Sequence, residues 1–283
     1  MDHIESRLQL DPISITINET DEAKALWETV AWFETEGEAT NAFELLKYES
    51  THIHIVAVPD RDWVRLSLAG LAPVVAGRFF LHGSHDRALR RVGGVSLEID
   101  AGTAFGTGHH GTTSGCLLAF DELLKKRQPR RILDLGTGTG VLALAAAFTL
   151  RVKVLATDID PEAVRVTKLN AKLNHLGPWV EALGATGLHD PIIALRAPFD
   201  LIFANILARP LAQMAMGLSR LLAPGGAIIL SGLTVDQERW VKAVYAGRGL
   251  CVQRSIHNGN WVALVMIKKP RRSGRGFPLS LSR

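Results

Sequence analysis

"RILDLGTGTGVLALAAA", residues 131–147, decides the fold. Ile132, Leu133 and Leu135 make a short buried strand, and the apolar run "VLALAAAFTL" (141–150) reads as a helix. Gly136, Gly138 and Gly140 lie between them. A glycine turn that ends a strand and opens a helix sits where α/β sheets bind ligands, at the carboxyl ends of their strands. The same rhythm continues outward. "KVLAT" (153–157) is a strand and "PEAVRVTKLNAKLN" (161–174) a helix, with Pro161 in the first turn, where its missing N–H costs nothing. "DLIFAN" (200–205), the helix 208–222, the turn "PGG", the strand "AIILSG" (227–232) and the helix 235–247 follow. Two late strands, "LCVQRSIH" and "NWVALVMIK", close the series. This alternation predicts an α/β fold, a doubly wound and mostly parallel sheet with an antiparallel edge.

Upstream the pattern differs. "ISITI" (13–17) alternates as a half-buried strand, and Thr20 is placed to cap a helix through 21–33. "THIHIVAV" (51–58) alternates again, "DRDWVRLSLAGL" (60–71) looks helical and "GRFFLH" (77–82) extended. These elements suit a small ferredoxin-like α+β layer. "HGSHDRALRRVGG" (82–94) is charged, bears glycines and lacks an apolar period, so it reads as a linker. The expected organisation is an α+β domain at 1–81, a linker at 82–94, the α/β domain at 95–268 and a basic tail at 269–283.

Composition narrows the class. A chain of 283 residues, 47% of them hydrophobic, can bury the cores of two domains. The start "MDHIESRLQL" has no apolar segment of the secretory kind, and no apolar run approaches the roughly twenty residues of a membrane span. Two cysteines, Cys116 and Cys251, build neither a disulfide framework nor a cysteine zinc site. A cytoplasmic protein is expected. The net charge of +4 hides an asymmetry: residues 1–50 hold twelve acidic and three basic residues, whereas 268–283 hold six basic and no acidic ones. The tail reads as a solvated terminus or as a contact for RNA or a ribosomal surface.

The glycine spacing is G-x-G-x-G, with Val141 where a nicotinamide-binding fingerprint places its third glycine. Asp134 stands beside the loop, poor company for a pyrophosphate and good company for a cation. Asp158 ends the next strand, where a carboxylate accepts ribose hydroxyls. A nucleoside without a diphosphate, next to an acidic loop, points to S-adenosylmethionine. Asn205 ends "FDLIFAN" and would set an uncharged amide beside that pocket, able to accept a hydrogen bond from an amine.

Four motifs in order, "AFGTGHHGTT" (104–113), "DLGTGTGVLALAAA" (134–147), "TDIDPEAV" (157–164) and "NILARPL" (205–211), resemble the PrmA family, whose members methylate ribosomal protein L11. The resemblance runs from about Asp60 to the end of the sheet; the first fifty residues match poorly. It implies a class I S-adenosylmethionine-dependent protein N-methyltransferase acting on lysine and/or N-terminal amines. It further implies that Asn205 is catalytic and that Phe105, Thr113, Gly136, Gly138, Asp158 and Asn205 contact the cofactor. On this view the first loop is a lid, with Phe105 and Thr113 near the adenosine and methionine parts, and the second loop is the floor. Many relatives read Thr-His-Pro-Thr-Thr where this chain has His109–His110–Gly111–Thr112–Thr113. No further ligands at metal spacing accompany the histidines, so no metal is expected. His109 is taken as a loop residue, while substrate contact and proton shuttling stay open for His110.

The implied reaction is in-line displacement, with an uncharged amine attacking the sulfonium methyl and Asn205 orienting it. Proton loss goes to water, since no side chain stands out as a general base. Two alternatives remain at this level: another protein or small amine as acceptor, and a non-catalytic ribosome- or RNA-binding protein.

Overall fold

The computed structural model describes residues 14–21, 26–33, 35–46, 55, 73–90, 93–99 and 111–270. The chain divides into two compact units, Met1–Asp62 and Trp63–Arg283.

In the first unit, β1 (Ser14–Asp21) pairs antiparallel with β2 (Leu26–Trp32), Ser14 opposite Trp32, with a register shift between Glu19 and Asp21. The helix expected over 21–33 is therefore a strand. Trp27, Thr29, Val30 and Trp32 are aromatic or β-branched, types that favour a pleated surface, and the partner strand decides between the two readings. Helix α1 (Glu36–Leu46) opens on a reciprocal cap: Glu38 N–H donates to Thr35 Oγ1, and Thr35 N–H to Glu38 Oε2, both at 3.3 Å. The elements expected at 51–58 and 60–71 lie outside the described residues, apart from Ile55.

The second unit contains a three-stranded sheet, β3 (Val74–Ala76), β4 (Phe79–His82) and β5 (Val95–Glu98), in which β4 and β5 are parallel. The segment 82–94, expected as a linker, holds a 3₁₀ helix at Ser84–Leu89. Arg87 and Arg90 fasten it to the buried Glu98 carboxylate, with Arg87 Nε at 2.6 Å and an Arg90 terminal nitrogen at 2.9 Å. The Arg87 guanidinium holds the Glu98 carboxyl below its usual range, against the effect of burial.

The main sheet has seven strands in the order β11-β12-β10-β9-β6-β7-β8. Its parallel part is β6 (Ile132–Leu135), β7 (Val154–Asp158), β8 (Val180–Gly184), β9 (Phe199–Asn205) and β10 (Leu222–Thr234). The hairpin β11 (Leu250–Asn258) and β12 (Trp261–Lys268) adds the antiparallel edge. The expected doubly wound α/β sheet is present. Strand β8 and the short helix α5 (Pro191–Arg196) were not anticipated, nor was α2 (Gly111–Leu124), whose Gly-Thr-Thr opening reads as loop. The remaining helices are α3 (Val141–Leu150), α4 (Pro161–Leu173), α6 (Ala208–Leu221) and α7 (Val235–Ala246). The "PGG" turn merges into β10 and survives as a register shift between Leu222 and Ala227.

The sheet separates two cores, a three-layer arrangement. On one face Phe120 of α2 stacks on Phe79 of β4, with centroids 5.8 Å apart, and meets Phe203 of β9 edge-on at 5.2 Å. The small sheet thus shares a core with the large one. On the other face Tyr245 is fully buried and donates its hydroxyl to Leu211 O at 2.9 Å. No helix among the described residues is long and apolar enough to cross a membrane.

Candidate active site

From the centre of the sheet the chain runs outward through β7 and β8, then returns to β9 on the other side of β6. Loops diverge at such a reversal and leave a crevice at the carboxyl ends of the strands. A cleft of about 660 Å³ lies there, a size suited to a small ligand. Thr113, Gly136, Gly138, Asp158 and Asn205 all line it. Five of the six residues singled out from the sequence are therefore brought together, from α2, the β6–α3 turn, β7 and β9. The sixth, Phe105, lies outside the described residues, as do His109 and His110.

The glycine turn is held from beneath. Gly136 and Thr137 N–H both donate to Thr157 O, at 2.8 and 3.0 Å. Thr167 Oγ1 donates to Gly138 O at 2.9 Å, and Asn170 Nδ2 to Thr139 O at 2.8 Å, so α4 supports the loop. At Gly136 the backbone has φ +70°, and a Cβ would stand 2.5 Å from Ile206 Cγ2. Only glycine meets both conditions.

Asp134 lies under the turn, fully buried. One carboxylate oxygen accepts from Thr137 Oγ1 at 2.7 Å and from Ala143 N–H at 3.0 Å; the other has no partner among the described residues. Burial pushes this carboxyl up to about 7, against those two hydrogen bonds. Asp158, at the end of β7, accepts from Gly138 N–H at 2.9 Å and from Asp160 N–H at 3.1 Å. A carboxylate has about four lone-pair sites, so two such bonds leave it able to accept more. Asp160 in turn caps α4 through Glu162 N–H at 2.9 Å.

Asn205 ends β9. Its Nδ2 donates to Thr113 Oγ1 at 3.3 Å, while its Oδ1 is buried with no partner among the described residues. Thr113 is in the first turn of α2, anchored nearby by Ser231, whose hydroxyl reaches Val262 O at 2.9 Å and Thr112 O at 3.4 Å. The next residue, Ile206, presses on Gly232 of β10. Gly232 has φ +84°, and a Cβ there would meet Ile206 O at 2.2 Å. Gly232, Ile206 and Trp261 also line the cleft and escaped the sequence reading. Gly232 and Trp261 are each more than twenty residues from the motifs, and only the strand pairing brings them in.

The profile of the family described as "Ribosomal protein L11 methyltransferase (PrmA)" matches residues 4–269. The chain belongs to this family. The match also takes in the front end, ahead of the motifs that carry the resemblance. A ribosomal protein L11 methyltransferase of Chelativorans sp. (strain BNC1) is 46% identical over 267 residues, covering 93% of this chain and 92% of that one. One from Rhodopseudomonas palustris (strain BisB5) is 52% identical over 214 residues, 76% of this chain and 72% of that one. Among solved structures, the ribosomal protein L11 methylase from Lactobacillus delbrueckii subsp. bulgaricus superposes with a TM-score of 0.62 at 27% identity, over 70% of this chain and 100% of the other. The fold of this PrmA family member is thus that of a methyltransferase.

Proposed function

We propose that this chain transfers methyl groups from S-adenosylmethionine to lysine and/or N-terminal amines of ribosomal protein L11. The observation that carries the reading is Asn205 Oδ1, a buried acceptor on the wall of the cleft with no partner among the described residues. A buried polar atom left unpaired costs free energy, and an amine N–H entering the cleft would satisfy it.

The residues present fit the cofactor. The Gly136–Gly140 turn admits close approach, and Asp158 retains acceptor capacity for ribose hydroxyls and sets a carboxylate at the cleft that favours a cationic ligand over a diphosphate. Thr113 lies at the same cleft, and Phe105, from the resemblance, is assigned to it as well. S-adenosylmethionine, when bound, supplies an electrophilic methyl group on a sulfonium. The chain's own work is positioning. Thr113 takes the Asn205 Nδ2 hydrogen bond and so fixes the amide with its oxygen available to the nucleophile. Asn205 Oδ1 accepts an amine N–H and aims the lone pair, which removes orientational entropy from the barrier. Desolvation beside a cation favours the uncharged amine, and its proton leaves to water.

Substrate recognition falls to the acidic front of the proposed 1–81 region. Strands β3 and β4 share the catalytic unit's core, which supports placing the recognition part within 1–62. Residues 1–50 carry a formal charge of −9 (twelve acidic, three basic), suited to a basic protein. The reaction belongs in the cytoplasm, with no membrane partner, and contact of the basic tail with RNA is not required for it. Incubation with labelled S-adenosylmethionine and a whole ribosomal-protein extract, followed by mass spectrometry, tests the reading. Label on ribosomal protein L11 supports it; label only on another protein or on small amines overturns the acceptor.

A further inference from the structure

The edge of the main sheet away from the cleft carries a second chemical signature. Every parallel strand ends at the cleft edge, so the strand beginnings, the C-termini of the helices that precede them and the end of β12 meet at the opposite edge. The α2–β6 connection brings Lys125, Lys126, Arg127, Arg130 and Arg131 there, all exposed. Next to it, by the pairing of Ile132 with Val154, the α3–β7 connection adds Arg151 and Lys153. Arg220 at the end of α6, Arg248 before β11 and Lys269 after β12 continue the row.

No Asp or Glu occurs in residues 123–131, 149–154, 172–180, 195–199, 217–227, 244–252 or 266–270. Asp200, just inside β9, is already engaged: one oxygen accepts the N–H groups of Arg130 and Arg131, both at 3.0 Å. Lys125, Lys126, Arg130, Arg131 and Lys153 form no ion pair with a described residue, unlike Arg196, which meets Glu181 at 2.9 Å. Cations at helix C-termini offset the macrodipole, but one or two in the last turn do that work. Five in seven residues after α2 exceed it.

We infer that this edge is a docking surface for structured RNA, separate from the methyl-transfer cleft. A row of Lys and Arg whose neighbouring carboxylates are already engaged, Glu122 by Arg254, Glu181 by Arg196 and Asp200 by the Arg130 and Arg131 N–H groups, is the electrostatic footprint of a phosphate backbone. The row is continuous in sequence with Arg271, Arg272 and Arg275 of the tail. The choice of RNA over another polyanion rests on the proposed ribosomal-protein substrate, which the enzyme would meet beside RNA. Docking at the far edge leaves the cleft open to that substrate.

The test is fluorescence anisotropy with the full chain and a fluorescein-labelled ribosomal RNA hairpin, over a salt series. Replacing Lys125, Lys126, Arg130, Arg131 and Lys153 together by Gln should weaken RNA binding at least tenfold. It should also flatten the log–log salt slope by about 0.7–0.9 for each phosphate that the variant no longer neutralises. S-adenosylmethionine affinity and methylation of free ribosomal protein L11 should not change, which also shows that the variant is folded. Equal RNA affinity of variant and parent overturns the inference. So does loss of all binding on Arg271→Gln, Arg272→Gln and Arg275→Gln while the edge variant still binds, which assigns RNA to the tail alone. Tighter binding to phosphatidylserine vesicles or polyglutamate than to RNA overturns the choice of partner. RNA binding that depends on the edge, in a chain that methylates no ribosomal protein, keeps the docking surface and refutes the substrate reading instead.

Discussion

Asn205→Ala separates the two roles that a strand-end amide can have. Among the described residues this side chain makes one hydrogen bond, 3.3 Å to Thr113 Oγ1, at the long end of the normal range. Its removal should therefore cost the fold about 1 kcal/mol or less. The loss in turnover should be far larger, because the acceptor for the incoming amine disappears together with the device that aims it. An interaction made with the reacting group in a desolvated site is worth about 3 kcal/mol, so turnover at saturating substrates should fall on the order of a hundredfold or more. Affinity for S-adenosylmethionine, measured by calorimetry, should stay within about tenfold. Asn205→Asp sharpens the test: it keeps the shape but adds a negative charge beside the amine. That charge stabilises the ammonium form, so activity should be low at neutral pH and recover as pH rises. Near-normal turnover of Asn205→Ala would show that the residue only closes the turn, and the proposed alignment of the amine would be wrong.

Asp158→Ala should weaken S-adenosylmethionine binding by about 2–3 kcal/mol, roughly 30- to 150-fold, since a charged acceptor is lost; unchanged affinity by calorimetry would remove the ligand from this cleft. Gly232→Ala places a Cβ 2.2 Å from Ile206 O at φ +84°. The left-handed backbone alone costs about 1–2 kcal/mol, so denaturant melts should show at least that loss, with turnover falling as Ile206 pulls Asn205 out of line. A variant as stable and as active as the parent would refute the close contact. Asp134, buried and raised to about 7 from 3.8, keeps a proton that the unfolded chain releases between those values. The folded state then binds more protons than the unfolded state, so this group's contribution to stability falls as pH rises from about 4 to 7. Asp134→Asn should flatten that fall in urea melts across the window, whereas parallel slopes would show that the carboxylate is not buried as described.

How much of this could be read without coordinates depends on how local each signal is. The turn at Gly136–Gly140, the acid at Asp158 and the amide at Asn205 are set by spacing within a strand–turn–helix unit, and they were legible. Where two periods fit one stretch, local reasoning failed. Leu26–Trp32 has apolar residues at helical spacing but pairs with Ser14–Asp21, and the partner decided. Helix α2 was hidden by its Gly-Thr-Thr opening, although Cys116, Leu117, Phe120 and Leu123 repeat as one buried helical face. The site's most telling property is of another kind. That Asn205 stands at a strand end follows from "FDLIFAN", yet its chemistry depends on which hydrogen bonds the fold denies it. Thr113, 92 residues away, takes the Nδ2 bond, and no described residue takes Oδ1. Ile206 can seat the amide there because Gly232, on the neighbouring strand, has no Cβ to push it away. An unsatisfied acceptor arises from three elements arriving together, each unremarkable alone, so residue pattern can nominate Asn205 while only packing can qualify it for an amine.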